Sequence, residues 1–256
     1  MSKSPRDQTV TPKLAPQQIA DECLRRLKAL ADPVKAAGAQ KYFKEKARFI
    51  GISAPDLRAL SGETYQKVGA EWGIEEVTDF CAIMLKNPYH EVRALGILTF
   101  ERYRKTFPRS AFLTIEGWLR ADHCDSWALV DVLCPNSVGA LLEKYPDLVK
   151  AIKDWAKSPN RWVRRASIVS FIKLARKPGY LDAIFGVARS HFADSDDLIQ
   201  KANGWLLREA GKADMEKLEK FLRWFGPSIP RTTLRYAIER FPESKRKALL
   251  IATKTH

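Results

Sequence analysis

The sequence predicts an all-α fold, an α-solenoid of HEAT-like helical repeats with a concave basic groove, and three observations carry that prediction. Apolar residues recur at three- and four-residue intervals along almost the whole chain, while the alternation typical of half-buried strands is scarce. Segments of similar pattern recur, PYHEVRALGILTF (88–100), PNRWVRRASIVSFIKLA (159–175) and DDLIQKANGWLLREA (196–210), and fit a repeat with a period in the mid-thirties. Basic residues number 44 against 30 acidic ones, and this net charge of +14 is spread over many segments rather than gathered in a tail. Repeated helix pairs present equivalent helices along one curved surface, and positive charge on such a surface suits a polyanion such as DNA or RNA. A non-repetitive helical domain is the alternative that the same periodicity allows.

Along the chain, residues 1–17 are polar and contain Pro12 and Pro16, so they read as a flexible leader; residues 18–256 read as one solenoid domain. The leader lacks the apolar stretch of a secretory signal, and no run approaches the roughly 18 apolar residues of a membrane span. Short breaks at NPYH (87–90), CPNS (134–137), KSPN (157–160), KPG (177–179), ADSDD (193–197) and GPSIP (226–230) separate the helices. Cys23, Cys81, Cys124 and Cys134 are widely spaced among apolar neighbours and read as reduced core thiols of a cytoplasmic protein.

Within the repeat, the pivot residues Arg93, Asp131, Arg165, Lys201 and Arg235 fall 38, 34, 36 and 34 positions apart. The stretch DHCDSWALVDVLCPNS predicts a helix over 126–133, capped by Asp125, with Trp127 and Asp131 one turn apart on the same face. The same pair also fits a core indole and a surface or arginine-paired carboxylate. In NRWVRR, Trp162 and Arg165 share a face, and Arg164 points elsewhere. In QKANGWLLRE, Lys201, Trp205 and Arg208 form a stripe. Gly204 is costly inside a helix, by about 1 kcal/mol relative to alanine, and its missing side chain lets something approach closely. Indoles and cations along one groove suit sugars and phosphates; solenoid-core tryptophans with solvated arginines are the plain alternative.

Other chemistries find little support. His123, Cys124 and Cys134 lack both a usual zinc spacing and a fourth ligand, so no metal site is expected. Adjacent helical residues point apart, which argues against a Cys124/His123 nucleophile pair. No phosphate-binding loop, dinucleotide fingerprint or HExxH motif is present, and no cofactor is expected.

Taken in order, the aromatic–GI–P segment near residue 50, CDSWALVD, NRWVRR and QKANGWLLRE resemble the AlkD-like family of DNA alkylation repair enzymes, HEAT-like-repeat DNA glycosylases, over roughly residues 20–250. The resemblance implies catalytic roles for Trp127, Asp131, Arg165 and Trp205, and a groove-lining role for Tyr42. It implies hydrolysis of the N-glycosidic bond of cationic N3- or N7-alkylated purines in duplex DNA, by a monomer, without enclosing the base in a pocket. Arg93, Arg164, Lys201, Arg208 and Arg235 are the expected DNA contacts. No lysine is placed as a Schiff-base nucleophile, so a monofunctional glycosylase of the bacterial cytoplasm is expected. The chain departs from the family pattern at Ser126, Ser53 and Asp197-Leu198, where relatives can carry tryptophan, glutamine and aromatics.

Overall fold

A computed structural model describes residues 13–254. Their regular structure is helical, and the one extended pairing among them is an isolated bridge between Arg48 and Tyr89. The chain forms two compact units, Met1–Tyr103 and Arg104–His256. The first twelve residues of the expected leader lie outside the described residues. Its end is already docked: Lys13 pairs with Glu76, the Leu14 carbonyl accepts the Trp72 indole N–H at 2.8 Å, and helix begins at Pro16.

The first unit comprises α1 (Pro16–Ala29), α2 (Pro33–Gln40), α3 (Ala54–Val68), α4 (Ile74–Leu85) and α5 (His90–Phe100). Helix α4 packs on α1 and α5, and α5 also packs on α3. Proline at the start of α1, α2 and α3 suits a first turn whose N–H groups have no helical partner. The G-I-S-A-P segment between α2 and α3 is held from below by Glu91. That buried carboxylate accepts the backbone N–H groups of Ile50, Gly51 and Ile52 at 3.0, 2.8 and 3.3 Å. Gly51 has φ +93°, and a Cβ there would lie 2.0 Å from the Asp32 carbonyl oxygen, so only glycine fits. Ser53, one of the departures from the family pattern, is the N-cap of α3 and accepts the Asp56 N–H at 3.3 Å.

The second unit continues with α6 (Ala111–Arg120), α7 (Trp127–Leu133), α8 (Gly139–Lys144), α9 (Val149–Trp155), α10 (Arg161–Val169), α11 (Leu181–Ser190), α12 (Asp197–Ala210), α13 (Met215–Phe225), α14 (Arg231–Ala237) and α15 (Glu243–Ala252). Helices α7, α10, α12 and α14 pack side by side as one row. Helices α6, α9, α11 and α13 back that row, and α15 packs on α13. Asp131, Arg165, Lys201 and Arg235 each stand fifth in their row helix, so the spacing read from sequence is a real structural register.

One expected break is absent. Cys134–Val138 is a π-helical turn that carries the chain from α7 into α8. Pro135 cannot supply the usual N–H to the preceding turn, and the wider turn absorbs that loss without ending the helix. All four cysteines are free and buried, and burial pushes the Cys134 thiol well above its usual range.

Two histidines are buried inside these units. His90 sits 5.3 Å from both the Phe43 and Phe49 rings and beside Arg93. The His191 ring nitrogen Nε2 lies 2.9 Å from Ser167 Oγ; Asp194 and Arg164 also face this ring. Since Ser167 gives its proton to the Arg164 carbonyl, it accepts from His191. Burial pulls both imidazoles down to about 4. Between pH 6.5 and 4 the unfolded chain therefore binds more protons than the folded one, and stability falls as pH falls through that window. At pH 5.5 the loss is about 1.4 kcal/mol per histidine, or about 3 kcal/mol together. Urea unfolding at pH 7.5 and 5.5 measures it, and His191→Gln should roughly halve the difference. A midpoint independent of pH over this interval would refute the assignment.

Candidate active site

Helix α7 begins one residue later than its sequence suggests. Ser126, not Asp125, is the cap: its backbone is extended and its Oγ accepts the Leu129 N–H at 3.3 Å. Ser126 thus does a job that a tryptophan at that position could not do. Leu129, Val130 and Leu133 are fully buried and anchor α7, while Trp127 and Asp131, one turn apart, are only partly covered.

Arg165 grips Asp131 with a planar fork. Its Nε and Nη2 donate to the two carboxylate oxygens, each at 2.8 Å. Its Nη1 donates to the Leu198 carbonyl at 2.6 Å. One guanidinium therefore ties α7, α10 and the first turn of α12 together. The Arg165 side chain is 7% exposed and that of Asp131 17%, so the pair is nearly dry. Burial pushes the Asp131 carboxyl above its usual range, and the Arg165 fork opposes that push.

The other residues of NRWVRR clamp the 193–197 loop. The carboxylate of Asp196 caps α12 and takes Arg161 Nε at 2.9 Å; that of Asp194 takes Arg164 Nε at 2.7 Å. Arg164 Nη1 also donates to the Ser158 and Pro159 carbonyls, both at 3.0 Å. So Arg164, expected at DNA phosphates, is spent inside the protein. Trp162 is buried with Arg161 over its ring at 5.4 Å, and belongs to the core. The partners Asp194 and Asp196 were missed in the sequence, although two acids facing Arg161 and Arg164 one repeat earlier were a usable signal.

On α12, Lys201 pairs with Asp197 at 2.7 Å, Trp205 is half-buried, and Arg208 pairs with Glu239. What approaches Gly204 is the protein itself. A Cβ there would lie 2.4 Å from Tyr236 Cβ and 2.6 Å from the Thr233 carbonyl oxygen, so glycine lets α14 close on α12. Thr233 Oγ1 seals the contact by donating to the Gln200 carbonyl at 3.0 Å. Arg235 is exposed. Two expected DNA contacts lie in the first unit: Tyr42 is 81% exposed, whereas Arg93 is 7% exposed and packed within α5's surroundings. Burial on that scale leaves Arg93 little surface to offer a phosphate. A pocket of about 500 Å³ in that unit, lined by Leu24, Phe49, Ile50, Tyr89 and Val92 among others, contains none of the candidates. Among the described residues no cluster of His, Cys, Asp and Glu is placed to hold a metal ion.

A family model described as DNA alkylation repair enzyme matches residues 23–241, which spans Asp131, Arg165 and the whole α7–α14 row. The chain belongs to the DNA alkylation repair enzyme family. A DNA repair role follows for this family member. Its fold is similar to that of a solved structure titled "Predicted DNA alkylation repair enzyme from Enterococcus faecalis". The TM-score is 0.73 at 19% identity, over 83% of this chain and 97% of that one. No curated protein matches the chain. Among the described residues, no helix of this repair protein is long and apolar enough to cross a membrane.

Proposed function

We propose that this chain is a monofunctional DNA glycosylase that hydrolyses the N-glycosidic bond of positively charged N3- or N7-alkylated purines in duplex DNA. The observation that carries the reading is the carboxylate of Asp131, held nearly dry by Arg165 with its side chain 17% exposed, one turn from the half-buried Trp127. A cationic base is a good leaving group without protonation, so the remaining task is to stabilise an oxocarbenium-like sugar. A fixed carboxylate does so far better in a partly desolvated site than in water, and can orient the attacking water. The faces of Trp127 and Trp205 favour a cationic sugar by about 0.5–2 kcal/mol each. In this reading Arg165 positions Asp131, since its fork is already occupied. Lys201, Arg208, Arg235 and Tyr42 remain the DNA contacts, the family's duplex DNA is the partner, and the base is not enclosed in a pocket.

A second reading rests on the same ion pair. Both carboxylate oxygens accept from Arg165, as in a purely structural pair, which fits a non-catalytic protein that recognises damaged or distorted DNA. Release of 7-methylguanine and 3-methyladenine from methylated duplex DNA separates the two. The glycosylase reading expects release well above spontaneous depurination. Tight, salt-sensitive binding with no release supports the binder instead.

A further inference from the structure

Tyr236 is 37% exposed and stands next to Arg235 on α14. No hydrogen bond engages its hydroxyl among the described residues. Its Cβ and the Thr233 carbonyl are pressed so closely on α12 that only glycine fits opposite, at Gly204 in the K-A-x-G-W motif. Gly204 lies one residue from Trp205 and one turn from Lys201, and the Tyr236 phenol is close enough to influence the Lys201 ammonium. The tight α12–α14 contact thus brings an aromatic hydroxyl from the next helix of the row to the Lys201–Trp205 stripe.

We propose that Tyr236 is a further DNA-binding residue of this site, whose phenol O–H donates to a backbone phosphate beside the lesion, and that the close α12–α14 approach permitted by Gly204 places it there. This deepens the DNA glycosylase reading and rests on its duplex substrate. Lys201 already carries Asp197 as counter-ion, so a neutral donor beside it adds a phosphate contact without another charge. The ring adds apolar surface against the deoxyribose.

The experiment compares wild type, Tyr236→Phe and Lys201→Gln by anisotropy on a duplex with a tetrahydrofuran abasic-site analogue, from 50 to about 200 mM salt. Tyr236→Phe should bind about three- to tenfold more weakly, the loss of one hydrogen bond to a charged oxygen. Its salt slope should match wild type, whereas Lys201→Gln should lower the slope by about one. Melting temperature should not change. A tyrosine that merely packs on Gly204 predicts no effect of removing its hydroxyl. Binding by Tyr236→Phe within twofold of wild type overturns the proposal while leaving the glycosylase reading intact. Weakened binding in a protein that releases no base overturns the glycosylase reading and leaves Tyr236 as a DNA contact. No salt-sensitive binding by wild type overturns both.

Discussion

Asp131→Asn should bind the abasic-analogue duplex as well as wild type or better, and release 7-methylguanine about 10²–10³-fold more slowly. The substitution keeps the shape and leaves one carbonyl oxygen for the Arg165 fork, but it removes the negative charge from the place where positive charge develops on the sugar. A carboxylate in an anionic substrate's path works against binding, so its removal relieves repulsion in the ground state while costing the transition state. That opposite sign in the two measurements is the signature of the role. If release by Asp131→Asn stays within about threefold of wild type, Asp131 is structural and the chemistry lies elsewhere. If binding falls together with release, the residue supports the fold of the site and the catalytic assignment does not stand.

The second large effect falls on stability. Arg165→Met strands a carboxylate in a nearly dry position and removes the side-chain donor to the Leu198 carbonyl, which should cost about 3–5 kcal/mol in urea unfolding at pH 7.5. Asp131→Asn in the same chain should restore a large part of this, so the double variant is more stable than Arg165→Met alone. The pH dependence has a defined sign. Burial holds the Asp131 carboxyl above its unfolded value, and loss of Arg165 removes the opposing influence. The folded variant then takes up a proton more readily than the unfolded chain, so its deficit relative to wild type should shrink as pH falls. A deficit below 1 kcal/mol, or one that grows on acidification, would show that the pair contributes little to holding α7 on α10.

The row of equivalent helices was legible because periodicity and spacing are local properties of the chain. Asp131, Arg165, Lys201 and Arg235 take the same place in successive helices because a repeat of mid-thirties length returns each helix to the same pose. Trp127 and Asp131 share a face for the same helical reason. What the sequence could not supply was the identity of partners across repeats. Arg164 looked like a phosphate ligand until Asp194 was found on it, and Gly204 looked like an opening for substrate until α14 was found against it. Capping was misread between two adjacent residues, Asp125 and Ser126, that are both good caps; only the backbone angle decides between them. Pro135 was read as a stop because proline usually ends a helix, and the π-helical turn that accommodates it leaves no mark in residue spacing.

The reach of Arg165 has a consequence for how this chain can change in length. A stack of repeats ordinarily gains or loses material in any connecting loop, since each unit touches only its neighbours. Here the guanidinium bridges a carboxylate from the repeat before it and a main-chain oxygen from the repeat after it. The connection at 193–197 is doubly clasped just ahead of that oxygen. An extra residue inserted there would shift Leu198 along α12 and withdraw its carbonyl from Arg165, whereas the loop at 226–230 lies outside this clasp. Natural insertions and engineered fusions should therefore accumulate at 226–230 and avoid the connection at 193–197.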